Sequence, residues 1–286
     1  MKKGILMVSF GTTYRDTRER NIEKLMKTVR EAKPDCEVRQ AYSSDRVRAV
    51  LKERDGIVIP GIKEALEEMR KSGVTHVTVL PTHIIDGIEN NKMKGMVKEY
   101  TSCFDAVKTA GALLEKEEDY GIAAKALWDS LKEAAENSVV IFMGHGSCHE
   151  SDSSYEKMEK ALREYSGREI YIATVEGRIN IEEVIRKMGS LRKEKKDRQN
   201  TRVVLTPFML VAGDHAVNDM AGEEDSFLTK VRNEGYEAEC ILKGIGEYKE
   251  IREIYIRHLH EAEREELTGN GIPEPEGSDF EGMKKG

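Results

Sequence analysis

Residues 139–147, VVIFMGHGS, stay apolar for the length of a buried strand and then break on a glycine-flanked histidine, His145. Continuous apolar runs of this kind mark strands covered on both faces, as in parallel α/β sheets. The pattern recurs downstream: EIYIATV (169–175) ends on Glu176, and TRVVLTPFML (201–210) leads through VAGD to His215. Ligands of such sheets bind outside the carboxyl ends of the strands. His145, Glu176 and His215 are therefore expected to converge there. Two imidazoles and a carboxylate suit a borderline divalent cation and leave room for a substrate.

Outward from these segments, strand and helix signals alternate. The second half adds strands at 138–143 and 237–242, and the first half has GILMVSF (4–10), EVRQAY (37–42), HVTVL (76–80) and VKTAGALL (107–114). Ile22, Leu25, Met26 and Val29 carry helical spacing. A second helix of this half is expected between Pro60 and Gly73, with Ile62, Leu66 and Met69 inward. Asn180, with Glu183 three residues on, reads as a cap ahead of Ile181, Val184, Ile185 and Met188. The fold class is α/β, expected as an N-terminal unit over 1–125 and a C-terminal unit over 126–265 that carries the metal site. The segment 266–286 is rich in Gly, Pro and charge without periodicity and is expected to be a disordered tail.

The halves also resemble each other. VTVLPTHIIDGIE superposes on VVLTPFMLVAGDH, with Pro81 on Pro207, Gly87 on Gly213 and Glu89 on His215, while SFGTT parallels GHGSC with Phe10 opposite His145. A duplication of this kind turns the strand-end loops of both units toward a shared cleft, and Glu89 joins the groups near it.

The chain has 286 residues, 38% hydrophobic and 35% charged, enough for two packed cores. A net charge of −7 argues against general nucleic-acid binding. No apolar stretch approaches the roughly 20 residues that span a bilayer, and the short run after Lys2 and Lys3 lacks a small-residue cleavage site. A cytoplasmic protein without membrane contacts is expected. Cys36, Cys103, Cys148 and Cys240 form no CxxC pair, which disfavours a disulfide framework or a thiolate zinc site.

Each chemical reading has a plainer one beside it. Gly144 and Gly146 would let a flat substrate approach His145, or would simply serve a turn. His215 could be a loop histidine near a helix start, with Asp219 four residues on. Glu176 could be a salt-bridged strand terminus. His83 is expected to be a structural imidazole; His76, His258 and His260 are expected to pack or face solvent; His149 is a candidate for the outer sphere of the site. Cys148 beside His145 suggests a thiol nucleophile only weakly. SFGTTYRDT resembles phosphate-binding loops but lacks the Walker pattern, so an NTPase is disfavoured.

VSFGTTYRDT, RDGIVIP (54–60), THIIDGIE (82–89), VVIFMGHGS, PFMLVAGDHAVNDMAGEEDS (207–226), GIGE (244–247) and HLHEA (258–262) together resemble the anaerobic-type sirohydrochlorin cobaltochelatases, the CbiK group of the class II chelatases. The resemblance implies two flavodoxin-like domains with parallel sheets and a tetrapyrrole cleft between them. It implies insertion of Co²⁺ into sirohydrochlorin on a route to cobalamin, without ATP. It further implies that His145 is the catalytic histidine and a metal ligand, that Glu176 and His215 complete the ligand set, and that Glu89 is an acidic residue of the cleft.

Histidine and carboxylate ligands suit Co²⁺ but also accept Ni²⁺, Fe²⁺ or Zn²⁺. A polycarboxylate substrate needs basic partners on so acidic a chain, and Arg15, Arg18, Lys92 and Lys94, which follow strand ends, are the candidates. A homo-oligomer stays open. So do two readings from other classes: a metal or tetrapyrrole carrier that binds without turnover, and a flavodoxin-like FMN protein suggested by the SFGTT loop.

Overall fold

The computed structural model describes residues 1–146, 153–192 and 194–268. Its first half runs β1 (Lys3–Ser9), α1 (Arg15–Arg18), a π-helical turn (Glu19–Glu23), α2 (Lys24–Ala32), β2 (Glu37–Tyr42), α3 (Asp45–Asp55), α4 (Ile62–Lys71), β3 (His76–Pro81), α5 (Ile88–Lys98) and β4 (Ala106–Thr109). The second half runs α6 (Glu117–Leu131), β5 (Val139–Gly144), α7 (Ser153–Ser166), β6 (Ile170–Thr174), α8 (Ile181–Leu191), α9 (Lys195–Gln199), β7 (Arg202–Pro207), a π-helical turn (Ala216–Met220), α10 (Phe227–Asn233), β8 (Glu237–Cys240) and α11 (Lys249–Thr268). No helix among the described residues is long and apolar enough to cross a membrane.

Each half builds a four-stranded parallel sheet of the same order, β2-β1-β3-β4 and β6-β5-β7-β8. The central strands are sealed on both faces: Ile5 to Val8 and Val140 to Met143 are all buried, as continuous apolar runs require. Helical stripes behave as their spacing predicts. Ile22 in the π-helical turn and Leu25, Met26 and Val29 in α2 are buried, as are Ile62, Leu66 and Met69 in α4 and Ile181, Val184 and Met188 in α8, with Ile185 partly buried beside them; the α8 cap is the Asn180 side chain accepting the Glu183 amide at 2.9 Å.

The internal repeat extends to individual hydrogen bonds. Pro81 lies opposite Val8 and Pro207 opposite Met143. The next amides, Thr82 and Phe208, bond the Val8 and Met143 carbonyls at 2.9 and 2.7 Å. On the other side of each central strand, the Ser44 amide meets the Phe10 carbonyl at 3.3 Å and the Glu176 amide meets the His145 carbonyl at 2.8 Å. Asn91 closes on Gly87 at 2.9 Å as Val217 closes on Gly213 at 3.1 Å. Phe10 and His145 are thus equivalent positions, as are Ser44 and Glu176.

Three features depart from the sequence pattern. α3 has no expectation behind it, because Leu51 is its single buried side chain and a helix without an apolar stripe leaves no periodic signal; Ser44 caps its start and Gly56, at φ 67°, ends it. The strand expected over 107–114 stops at Thr109, beyond which Ile85 and Leu114 make an isolated bridge. The last helix, α11, packs on β3 and α2 of the first half as well as on α6, with the Tyr255 hydroxyl donating to the Thr82 carbonyl at 3.0 Å. It also runs through Thr268, past the boundary expected for the tail, whose remainder lies outside the described residues. One apolar cluster consequently joins both sheets, from Ile5 and Met7 through Leu127 and Tyr255 to Val140 and Phe142.

Candidate active site

His145 is the first residue beyond β5, and its two glycine neighbours serve packing rather than access. A Cβ on Gly144 would stand 2.4 Å from the Tyr155 ring. One on Gly146, at φ +84°, would stand 2.3 Å from the Gly177 backbone nitrogen. The space expected to admit a flat substrate at these glycines is filled by protein. The turn nevertheless leaves His145 exposed, with Nδ1 3.0 Å from the Gly146 carbonyl. A carbonyl only accepts, so Nδ1 carries the proton and Nε2 keeps its lone pair.

His215 arrives from the neighbouring strand. The chain leaves β7, passes Gly213 and places His215 at the head of the π-helical turn. Its Nδ1 is 2.6 Å from Asp219 Oδ2, a carboxylate–imidazole contact that fixes the ring and frees Nε2. The two rings meet edge to face, with centroids 4.9 Å apart at 84°. Asp219 has no functional part in the sequence reading, although His215 and Asp219 at i, i+4 on one helical turn are the signal that could have assigned it one.

Glu176 is held beside this pair by its main chain, through the bond from its amide to the His145 carbonyl, and its side chain is exposed. Among the described residues, no group of three His, Cys, Asp or Glu side chains stands close enough to hold a metal ion. The structure therefore gathers two of the three expected ligands and leaves the third adjacent. Cys148 and His149 lie outside the described residues.

The first half faces this loop directly. A Cβ on Gly213 would be 3.1 Å from Thr12 Oγ1, and the Tyr14 hydroxyl donates to Asp214 Oδ1 at 3.2 Å. Asn21, in the first π-helical turn, packs on Gly244 and Gly246. Further along the first half's strand ends, Glu89 pairs with Lys92 at 2.6 Å. His83 sets Nδ1 3.1 Å from Asn90 Oδ1, its Nε2 has no hydrogen-bond partner among the described residues, and burial pushes its pKa down.

The expected basic groups are already engaged. Arg15, 77% exposed, pairs with Glu19 at 2.8 Å; Lys94 pairs with Asp86 at 2.9 Å. Arg18 is turned inward, 7% exposed, with Nε 3.1 Å from Glu23. That burial removes its guanidinium from the surface where a carboxylate substrate would meet it.

Comparison with known proteins agrees with this architecture. The family model described as cobalt chelatase (CbiK) matches residues 3–264. The sirohydrochlorin cobaltochelatase of Salmonella typhimurium is 34% identical over 265 residues, covering 92% of this chain and 97% of that one. The sirohydrochlorin cobaltochelatase CbiKC of Nitratidesulfovibrio vulgaris is 30% identical over 268 residues, covering 90% and 89%. Among solved structures, SirB from Bacillus subtilis with Fe³⁺ superposes with a TM-score of 0.66 at 16% identity, over 93% of this chain and 98% of that one, a likeness of fold. With near-complete coverage by the family model and by relatives at 30% identity or more, the chain belongs to the cobalt chelatase (CbiK) family.

Proposed function

We propose that this protein inserts Co²⁺ into sirohydrochlorin, without ATP, at the strand ends of its second half, in the anaerobic route to cobalamin. The observation that carries the reading is the His145–His215 pair: two exposed or half-buried imidazoles in ring contact, each with Nδ1 engaged and Nε2 left over. Family membership supplies the reaction class, and the names of the two relatives supply the metal and the macrocycle.

A free tetrapyrrole carries two pyrrole protons, and both must leave as the divalent ion enters. In this reading Co²⁺ first binds the two Nε2 atoms. Glu176, whose main chain is tied to His145, turns its exposed carboxylate in as a third ligand. So few protein ligands keep coordination positions open, and an open site hands its ion over where a closed four-ligand site would hold it. As the ion moves to the pyrrole nitrogens, His145 Nε2 is vacated and accepts one proton. His215, its ring held by Asp219, takes the other. Charge then balances: one dication enters the ring and two protons reach imidazoles.

Arg15, Lys92 and Lys94 meet the substrate's carboxylates by exchanging partners with Glu19, Glu89 and Asp86. Exposed ion pairs contribute about 0–1 kcal/mol, so the exchange costs little. Arg18 has no part in this.

The test is a spectrophotometric assay with purified protein, Co²⁺ and sirohydrochlorin, repeated with Ni²⁺, Fe²⁺ and Zn²⁺ and with no nucleotide. Metallated product in large excess over protein is the expected result. Product that stops at one equivalent would make the protein a carrier.

A further inference from the structure

The loop that carries His215 is not held by its own half alone. Gly213 closes on Thr12 of the first half, and Asp214 Oδ1 accepts the Tyr14 hydroxyl at 3.2 Å and the Asn218 side-chain Nδ2 at 3.0 Å. Tyr14 is itself anchored. Its amide bonds Thr12 Oγ1 at 3.2 Å, its carbonyl receives the Arg18 amide at 3.0 Å, and Arg54 holds the neighbouring Thr13 carbonyl. Burial and the Asp214 carboxylate both push the phenol's pKa up, so it stays a donor.

Within six residues the chain therefore has a tether to the opposite half (Asp214), a metal-binding candidate (His215) and the carboxylate that orients it (Asp219). Asn218, which shares Asp214 with Tyr14, lies in the same π-helical turn as Asp219. π-helical turns are rare and are frequently found at functional sites. Here the residue just ahead of His215 is tied to one 200 positions earlier.

Resting on the function proposed above, we infer that Tyr14 is a positioning residue: its hydroxyl, through Asp214, sets where His215 stands relative to His145, and so links the placement of the first half to the affinity of the metal site. Tyr14 touches neither ion nor macrocycle in this account. Its removal is expected to loosen Co²⁺ and slow transfer, while tetrapyrrole binding is left alone.

The test is a double-substitution cycle on the full chain with Tyr14→Phe, Asp214→Ala and both together. Three quantities are read: the Kd for Co²⁺ alone by titration, the split between kcat and KM for sirohydrochlorin, and Tm as the control for folding. Loss of one solvent-exposed hydrogen bond of ordinary strength corresponds to about twofold to tenfold in affinity. Each single variant should weaken Co²⁺ by at least that factor and lower kcat, with KM within about twofold and Tm unchanged, and the double variant should be no worse than Asp214→Ala alone. An unchanged Co²⁺ Kd in Tyr14→Phe, or effects that add in the double variant, would overturn the inference. Because the Co²⁺ titration needs no turnover, a wild-type protein that binds Co²⁺ but metallates nothing would count against the proposed function and leave this inference standing.

Discussion

Asp219 Oδ2 stands 2.6 Å from His215 Nδ1, four residues apart on one turn. The carboxylate holds the ring and leaves Nε2 as the ligating atom. Replacing Asp219 with Ala should weaken Co²⁺ binding by about 10–100-fold and lower insertion in step. Titration of the purified variant with Co²⁺ checks this, and wild-type affinity would mean that ring contact with His145 suffices.

His145→Ala should abolish insertion, because it removes a ligand and a proton acceptor at once; acid–base catalysis alone contributes about 10²–10⁴-fold. His215→Ala and Glu176→Ala should raise the Co²⁺ Kd and spare more of kcat. Steady-state kinetics at saturating Co²⁺ separates the cases: recovery is expected for Glu176→Ala and not for His145→Ala.

Gly146 sits at φ +84° with no room for a side chain against Gly177. Gly146→Ala should cost about 2–4 kcal/mol of stability and displace His145. Chemical denaturation measures the first effect and Co²⁺ titration the second.

Neutralising Arg15, Lys92 and Lys94 together should raise the KM for sirohydrochlorin and flatten its salt dependence, since exposed charges act through a screened field. Arg18→Met serves as the contrast: a buried group should alter Tm more than KM. An unchanged salt slope in the triple variant would return those three residues to ordinary surface charge.

Asp119, fully buried at the start of α6, has its pKa lowered from 3.8 to about 2. Burial works to raise it and is outweighed by hydrogen bonds from His258, the Lys116 amide and Arg257. A carboxylate depressed in the folded state stabilises fully above its unfolded pKa and loses that contribution as pH falls through its folded one. The window therefore lies between about pH 4 and 2, and the contribution is about 2 kcal/mol. Asp119→Asn should flatten the acid limb of a stability–pH curve in that window, and an unaltered limb would assign it to other carboxylates.

Much of this architecture is written locally. Near-continuous apolar runs mark β1, β3, β5, β6 and β7, whose residues are almost all buried, because a strand sealed on both faces tolerates little polar interruption. Helical spacing marks α2, α4 and α8, and the repeat of Pro81 in Pro207 and Gly87 in Gly213 already places equivalent loops at equivalent strand ends. His145 and His215 are legible for the same reason: position after a parallel strand dictates direction. Other features depend on backbone that is distant in sequence, and tertiary structure alone decides them. Tyr155 and Gly177 fill the space beside Gly144 and Gly146, α11 crosses to β3, and Tyr14 reaches Asp214. Each is a close approach between segments whose separation along the chain carries no pattern, so no periodicity can announce it.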